Sequence, residues 1–423
     1  MAAPVHLVAY EHQTLRLGQT PGLRDAHLAA LLALQQRYRA QWFLPLRQGL
    51  CLTSYVGVVQ APGLTLEILP KTDDPGRAGP TVPDAAHWQR VLLRLVKATH
   101  RLPVAVPGAA TLAQARHPML DLFVGALLAQ AEGLLRQGLQ KHYHTTEANR
   151  RVLRGRVLFA QQLRHNLIHA EQFYSRAQTY DAAHPLNALP RQALQVAMDV
   201  ASSPVLAARA SSVFAQWPEV PPVSVPADMP PLTHATARYR PALELALLLL
   251  HHHSPAPQAG KTAAVALLFD MNCLFEAYVA QQLARAAPAL GCRVSAQARA
   301  FLWHDVPVRP DIVVTLPNNR TVVLDTKWKL PASQRPSAAD LQQLFAYCHL
   351  WKASHGLLVY PNPEAGHWTS TQQPYAPGRM ELAVQGHVLF ADILLPDGQL
   401  NESFGKALLQ QLLALPYPDS ENG

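Results

Sequence analysis

The pattern of apolar and polar positions from Val5 to roughly Thr72 reads as β-rich with one helical piece. Leu52 to Val59, the turn Ala61-Pro62-Gly63 and Leu64 to Leu69 predict a hairpin, with Leu64, Leu66 and Ile68 on one face. Asp73 to Pro83 reads as a loop or linker. From Asp84, placed as an N-cap, the period becomes helical, and Trp88, Val91, Leu92, Leu95 and Val96 form one stripe. A second helix is predicted over Pro118 to Gln140, since proline is tolerated in a first turn. Asn187 follows a turn and is positioned to cap a helix from about Ala188 to Ser202. The proline-dense stretch Pro204 to Pro231 then marks a domain boundary.

Downstream, Tyr239 to Leu250 reads as helix. So does about Ala263 to Ala287, with a stripe through Leu267, Met271, Leu274, Phe275, Tyr278 and Val279. Strands are predicted at about Arg293 to Trp303, Val308 to Leu316 and Thr321 to Lys327. Ser337 caps a helix through Asp340 to Trp351, with Leu341, Leu344, Phe345 and Cys348 toward the sheet, and Gly356 to Tyr360 is a buried-type strand. The order helix, three strands, helix, strand predicts a mixed sheet flanked by helices. The fold class is α+β, with three segments: a β-rich 1–82, a mainly helical 83–225, and a C-terminal αβββαβ domain over 226–423.

Composition narrows the class. An apolar fraction of 49% with 15% charged residues excludes a disordered chain, and a formal charge of +8 favours an anionic partner such as nucleic acid. The four cysteines, Cys51, Cys273, Cys292 and Cys348, show no C-x-x-C spacing, which suits a reducing compartment and argues against a zinc knuckle or disulfide frame. No basic stretch leads into an apolar core near Met1. No apolar run approaches membrane-spanning length, the nearest being Ala242 to Leu250, so a soluble, cytoplasmic protein without membrane contact is expected.

Chemistry concentrates between Arg309 and Lys329. Asp311 opens the apolar run Ile312 to Leu316, Pro317-Asn318-Asn319 supplies a turn, and Val322 to Leu324 ends in Asp325-Thr326-Lys327. Residues two apart on a strand share a face, so Asp325 lies beside Lys327. Asp311 joins them only if it pairs with Asp325 or Lys327, or if a bend at Arg309-Pro310 returns it; a register one residue off turns it away. Two carboxylates suit Mg²⁺, with Mn²⁺ as the alternative, and a lysine beside the metal orients or deprotonates water and offsets phosphate charge. Glu276 either leans toward such a metal or is an exposed charge. Gln343 and Tyr347, four apart on one helix, either fix the lysine or a phosphate or are ordinary polar positions.

Arg150, Arg151, Arg154, Arg156 and Arg164 cluster around a glycine, either as a phosphate or carboxylate clamp or as a solvated basic face. His142 and His144 read as surface residues. The adjacent His251, His252 and His253 cannot share one helical face. Pro255 to Thr262, PAPQAGKT, approaches a P-loop but has proline where the first glycine belongs and helix rather than strand before it, so no nucleotide site is expected.

Asp311, Asp325-x-Lys327 and Gln343-x-x-x-Tyr347 within the αβββαβ order resemble the PD-(D/E)xK superfamily of restriction endonucleases, and more narrowly the McrC family. Supporting stretches run along most of the chain: Tyr55-Val56-Gly57-Val58 with Glu67 to Lys71, Leu153-Arg154-Gly155-Arg156, Pro185-Leu186-Asn187, Leu268 to Asn272 with Leu274-Phe275-Glu276, and Arg309-Pro310-Asp311. Thr326 and Trp328 flank the lysine where that family is expected to carry alanine-like and tyrosine-like residues.

The resemblance implies an Mg²⁺-dependent DNA endonuclease subunit of a two-component, modification-dependent restriction system. Its N-terminal half would dock on and stimulate an McrB-like AAA+ GTPase hexamer, and its C-terminal half would cut double-stranded DNA. It further implies that Asp311 and Asp325 hold the metal, that Lys327 serves the attacking water, and that Glu276 and Gln343 assist. Arg150, Arg151, Arg154, Arg156 and Tyr347 would contact DNA or the partner, and GTP would be bound by the partner rather than by this chain. Two other readings are a non-catalytic regulator of the ring and a standalone structure-specific repair nuclease.

Overall fold

The computed structural model describes residues 5–70, 85–100, 118–169, 171–254, 264–329, 335–362, 369–374, 384–395 and 399–415. The expected Asp84 cap, the Asp73 to Pro83 linker and the Pro255 to Thr262 motif lie outside them. Contacts divide the chain into two units, one built from 1–119 and 264–423, the other from 120–263.

The first unit begins with β1 (Val5–Tyr10), β2 (Thr14–Arg16), α1 (Asp25–Tyr38), β3 (Phe43–Leu46), β4 (Gly49–Leu52), β5 (Tyr55–Ala61), β6 (Leu64–Leu69) and α2 (Ala85–His100). β5 and β6 form the expected antiparallel hairpin, closed through Gly63 at φ +74°. Every residue of β6 is buried, because β1 pairs with it in parallel on its other edge and α2 packs against it.

The second unit contains α3 (Pro118–Gln137), β7 (His142–Arg150), β8 (Arg156–Val157), α4 (Phe159–Asn166), β9 (Phe173–Asp181), α5 (Pro185–Val200), α6 (Pro204–Gln216), α7 (Arg240–His252) and β10 (His253–Ser254). The mainly helical expectation misses the sheet β7-β9-β8. β7, HYHTTEANR, alternates only between half-buried and exposed, so it carries no apolar period to read. Asn187 does not cap α5; His184 does, its Nδ1 accepting from the Leu186 N–H at 3.1 Å. Asn187 is fully buried. Its side chain donates to the Gln140 and Ala182 carbonyls and accepts from the Tyr239 hydroxyl, while its own carbonyl accepts from the Trp217 indole. The proline-dense stretch opens with α6, started by Pro204, and stays within this unit, so its first half is a helix rather than a linker.

The chain then returns to the first unit through β11 (Ala264–Asp270), α8 (Met271–Ala286), β12 (Arg293–Ala296), β13 (Ala300–Trp303), β14 (Val306–Val308), β15 (Ile312–Thr315), β16 (Thr321–Thr326), α9 (Ala338–Leu350), β17 (His355–Pro361), β18 (Thr369–Pro374), β19 (Gln385–Ala391) and α10 (Phe404–Leu413). β11 corrects the long helix expected from Ala263. The run AVALLF is apolar throughout, a pattern shared by a buried helix and a doubly covered strand, and here it pairs antiparallel with β5. Gly57 permits that approach: at φ +134° it tolerates the backbone, and a Cβ there would overlap the Leu267 carbonyl oxygen. α8 starts where the Asp270 carboxylate accepts from the Asn272 N–H at 2.9 Å.

The remaining strands form the sheet β12-β15-β16-β17-β19-β18, antiparallel from β12 to β16 and parallel from β16 through β17 to β19. The αβββαβ order is present, with one change. The strand expected over Arg293 to Trp303 breaks at Gln297, whose φ of +54° turns the chain out into a separate two-stranded sheet, β13-β14.

Candidate functional site

Strand register brings the two aspartates together. Ile312 pairs with Leu324 and Val313 with Val323, so one further step sets Asp311 opposite Asp325, one of the two registers that place it on the lysine face. Asp311 lies just outside β15, where its Oδ2 accepts from the Thr326 N–H at 2.6 Å and the Thr326 hydroxyl at 2.7 Å. Asp325 sits one place from the end of β16, between β15 and β17, and is 1% exposed. Lys327 follows the strand, its N–H donating to the Val359 carbonyl and its Nζ 2.7 Å from Asp325 Oδ2.

The charges are strongly coupled. Burial, then repulsion from Asp311, pushes the Asp325 carboxyl up to about 6 against the pull of Lys327. Burial would lower the Lys327 ammonium, but Asp325, Asp311 and Asp340 outweigh it and hold it above its ordinary value. α9 supports the lysine: Nζ donates to Gln343 Oε1 at 3.2 Å, and Gln343 Nε2 donates to the Tyr347 hydroxyl at 2.8 Å. Tyr347 is a buried member of the cluster with Leu344, Cys348 and Tyr360, not a surface position. Glu276, half-buried on α8, is held above the usual carboxylate range by burial, with Asp311 and Asp325 adding and the Gln297 side-chain hydrogen bond opposing. All five expected site residues therefore meet at one end of the sheet.

Sequence reasoning missed three supports. Thr326 fixes Asp311 through both its N–H and its hydroxyl. Trp328, next to the lysine, donates from its indole to Glu11 Oε1 at 2.8 Å and meets the Phe275 ring edge-on at 5.5 Å. Glu11, 2% exposed just after β1, is thus tied to a residue 317 positions away, a pairing no local pattern announces.

Among the described residues no group of three or more His, Cys, Asp or Glu is gathered to hold a metal, so a cation here would rest on the two aspartates and water. The donors fit that role. Asp325 Oδ2 is buried, pairs with Lys327 and receives no well-directed hydrogen bond, and Asp311 adds to burial in raising the Asp325 carboxyl. A hard divalent ion with most of its water retained suits such a pair.

The arginine cluster belongs to the other unit. Arg150 is committed to the β7-β9 pair, donating to the Ser175 carbonyl at 3.2 Å and the Thr146 hydroxyl at 2.8 Å. Arg151, Arg154 and Arg156 are exposed around Gly155, which has φ +70° and no room for a Cβ against the Arg176 carbonyl. Exposed Tyr143 and Tyr180, with ring centroids 4.6 Å apart, and Phe159 share this unit.

No curated protein matches the sequence. Among solved structures the chain is similar to one in a half-complex from the tetradecameric assembly of Thermococcus gammatolerans McrB AAA+ hexamers with bound McrC. That match has 17% identity and a TM-score of 0.69, covering 96% of this chain and 100% of that one. A cryo-EM structure of the Thermococcus gammatolerans McrBC complex matches at 17% identity with a TM-score of 0.49, over 67% of this chain and 88% of that one. The sequence model of the McrBC 5-methylcytosine restriction system component matches residues 50–361. Spanning both the β5-β6 hairpin and the strands that carry Asp311 and Asp325, that match establishes that the chain belongs to the McrBC 5-methylcytosine restriction system component family.

Proposed function

We propose that the chain is the divalent-metal-dependent DNA endonuclease subunit of a modification-dependent restriction system, with a restriction-endonuclease-like C-terminal domain. The observation that carries this reading is the meeting of Asp311, Asp325 and Lys327 at one strand end in the register the chemistry requires. Asp311 and Asp325 would hold Mg²⁺ or Mn²⁺. When bound, such an ion stabilises charge on a phosphodiester's non-bridging and leaving oxygens and acidifies an attacking water. Lys327, kept protonated by the carboxylates around it, would orient that water and offset phosphate charge. Gln343, braced by Tyr347, limits where Nζ points. Glu276, biased toward its neutral form, would accept or donate a proton at the rim.

The fold shared with a chain from an McrB–McrC assembly supports a partner of the AAA+ GTPase type. That ring would bind GTP and supply DNA recognition, and this chain would dock on it and stimulate it. The exposed Arg151, Arg154 and Arg156 are suited to an anionic surface of that ring or of DNA.

With the reconstituted pair and Mg²⁺, Asp325→Ala or Lys327→Ala is expected to lower plasmid cleavage by at least about 10²-fold, the scale of losing a positioned catalytic group, while stimulation of partner GTP hydrolysis persists. Normal cutting by either variant rejects the site. Cutting without partner or GTP identifies a standalone nuclease, and a wild-type pair that never nicks DNA identifies a regulator.

A further inference from the structure

Between the two aspartates and Glu276, the chain makes an excursion that the proposed chemistry does not use. Gln297 turns out of β12 in a left-handed backbone, φ +54°. Its N–H donates to the Asp311 carbonyl at 2.9 Å, and its side chain hydrogen-bonds the Glu276 carboxylate. β13 and β14 follow as a two-stranded sheet of their own, and the chain returns through Arg309-Pro310 directly to Asp311. Both feet of the hairpin are therefore planted on the candidate site.

The hairpin buries almost nothing. Phe301, Leu302, Trp303 and Val306 are 52%, 55%, 73% and 52% exposed, an apolar concentration that a water-facing ribbon gains nothing from. At its tip His304 has φ +43°, the left-handed backbone that a two-residue hairpin turn between Trp303 and Val306 favours. Its charge is one-sided. From 293 to 309 there are three arginines, Arg293, Arg299 and Arg309, all exposed, against the single acid Asp305. The Arg299 guanidinium lies 5.1 Å from the Phe301 ring centroid, a cation and a π-face presented together.

We propose that this hairpin is a wedge that grips the DNA beside the phosphate to be cut. Trp303 and Phe301 stack on bases or insert between base steps from the minor groove, while Arg299 and Arg309 take flanking phosphates. The occupant follows from placement and charge. A polymer lying across Asp311 and Asp325 must pass the hairpin planted beside them, and the arginines suit a polyanion better than a second copy of this basic chain. The identification of that polymer as DNA rests on the nuclease reading.

The test uses the full chain with a short fluorescein-labelled duplex, with Ca²⁺ replacing Mg²⁺ so that no strand is cut. The double variant Phe301→Ala, Trp303→Ala is expected to weaken binding roughly ten-fold, the effect of losing one or two stacked bases, and Trp303→Tyr to retain most of the affinity. Unchanged binding by the double variant overturns the wedge, as does failure of the parent to bind duplex. Loss of self-association in sedimentation with duplex binding intact also overturns it and makes the face an interface between copies. If instead Asp325→Ala still cuts in Mg²⁺ while the double variant loses affinity, the nuclease assignment fails and the wedge stands.

Discussion

Asp325 shows how a single residue sets the electrostatic character of the site. Its carboxyl is raised to about 6 from an ordinary 3.8 by burial and by Asp311. An acid whose folded pKa exceeds its unfolded pKa destabilises the fold when ionised, so this penalty is absent below about 4 and complete above about 6. In metal-free buffer Asp325→Asn is therefore expected to raise the unfolding temperature at pH 7.5 and change it little at pH 4. Added Mg²⁺ should raise the parent's unfolding temperature at pH 7.5 but not the variant's, and that gain should fade as pH falls through about 6. A metal shift that persists in Asp325→Asn would place the ion elsewhere. Trp328 offers a second measurement. Trp328→Phe keeps a ring against Phe275 but removes the donor to buried Glu11. Chemical denaturation should show a loss of about 1–3 kcal/mol, the cost of leaving a buried acceptor without its donor. Cleavage should fall as well, since Lys327 is the adjacent residue.

Among elements, the β16-β17-β19 core carries a titration of opposite sign. His355 Nδ1 and His387 Nε2 lie 2.9 Å apart on neighbouring buried strands, and burial, then His355, drives His387 down to about 4. A histidine with a depressed folded pKa contributes stability that is full above about 6.5 and is lost as pH falls toward 4. Its variant His387→Leu should flatten the fall in unfolding temperature between pH 6.5 and 4. A curve as steep as the parent's would assign acid sensitivity to other groups. Element boundaries explain which expectations failed. The apolar run before Asp270 reads equally as helix or strand until β5 is beside it. The break of β12 at Gln297 needs only a backbone angle, which no apolar period records.

At the scale of the whole molecule, the N-terminal strands and the candidate site belong to one unit, since β11 pairs with β5 and Glu11 holds Trp328. The arginine cluster belongs to the other. Because Arg151, Arg154 and Arg156 are exposed, replacing all three by alanine is expected to leave the unfolding temperature and the metal response unchanged while weakening stimulation of the partner's GTP hydrolysis. Full stimulation with reduced duplex affinity would assign the cluster to DNA instead. No helix among the described residues is long and apolar enough to cross a membrane.

The amino-acid order by itself determined the hairpin of Ile312 to Thr326, the helix that carries Gln343 and Tyr347, and the identity of the acids and the lysine. Those follow from apolar period, turn residues and residue type, all local properties. Only the tertiary structure decided that Asp311 faces Asp325, that Thr326 and Glu11 support the site, and that β11 joins the N-terminal strands. Each of these depends on register or on burial against residues distant in the chain. A one-residue slip, invisible in composition, would have turned the first carboxylate away from the second.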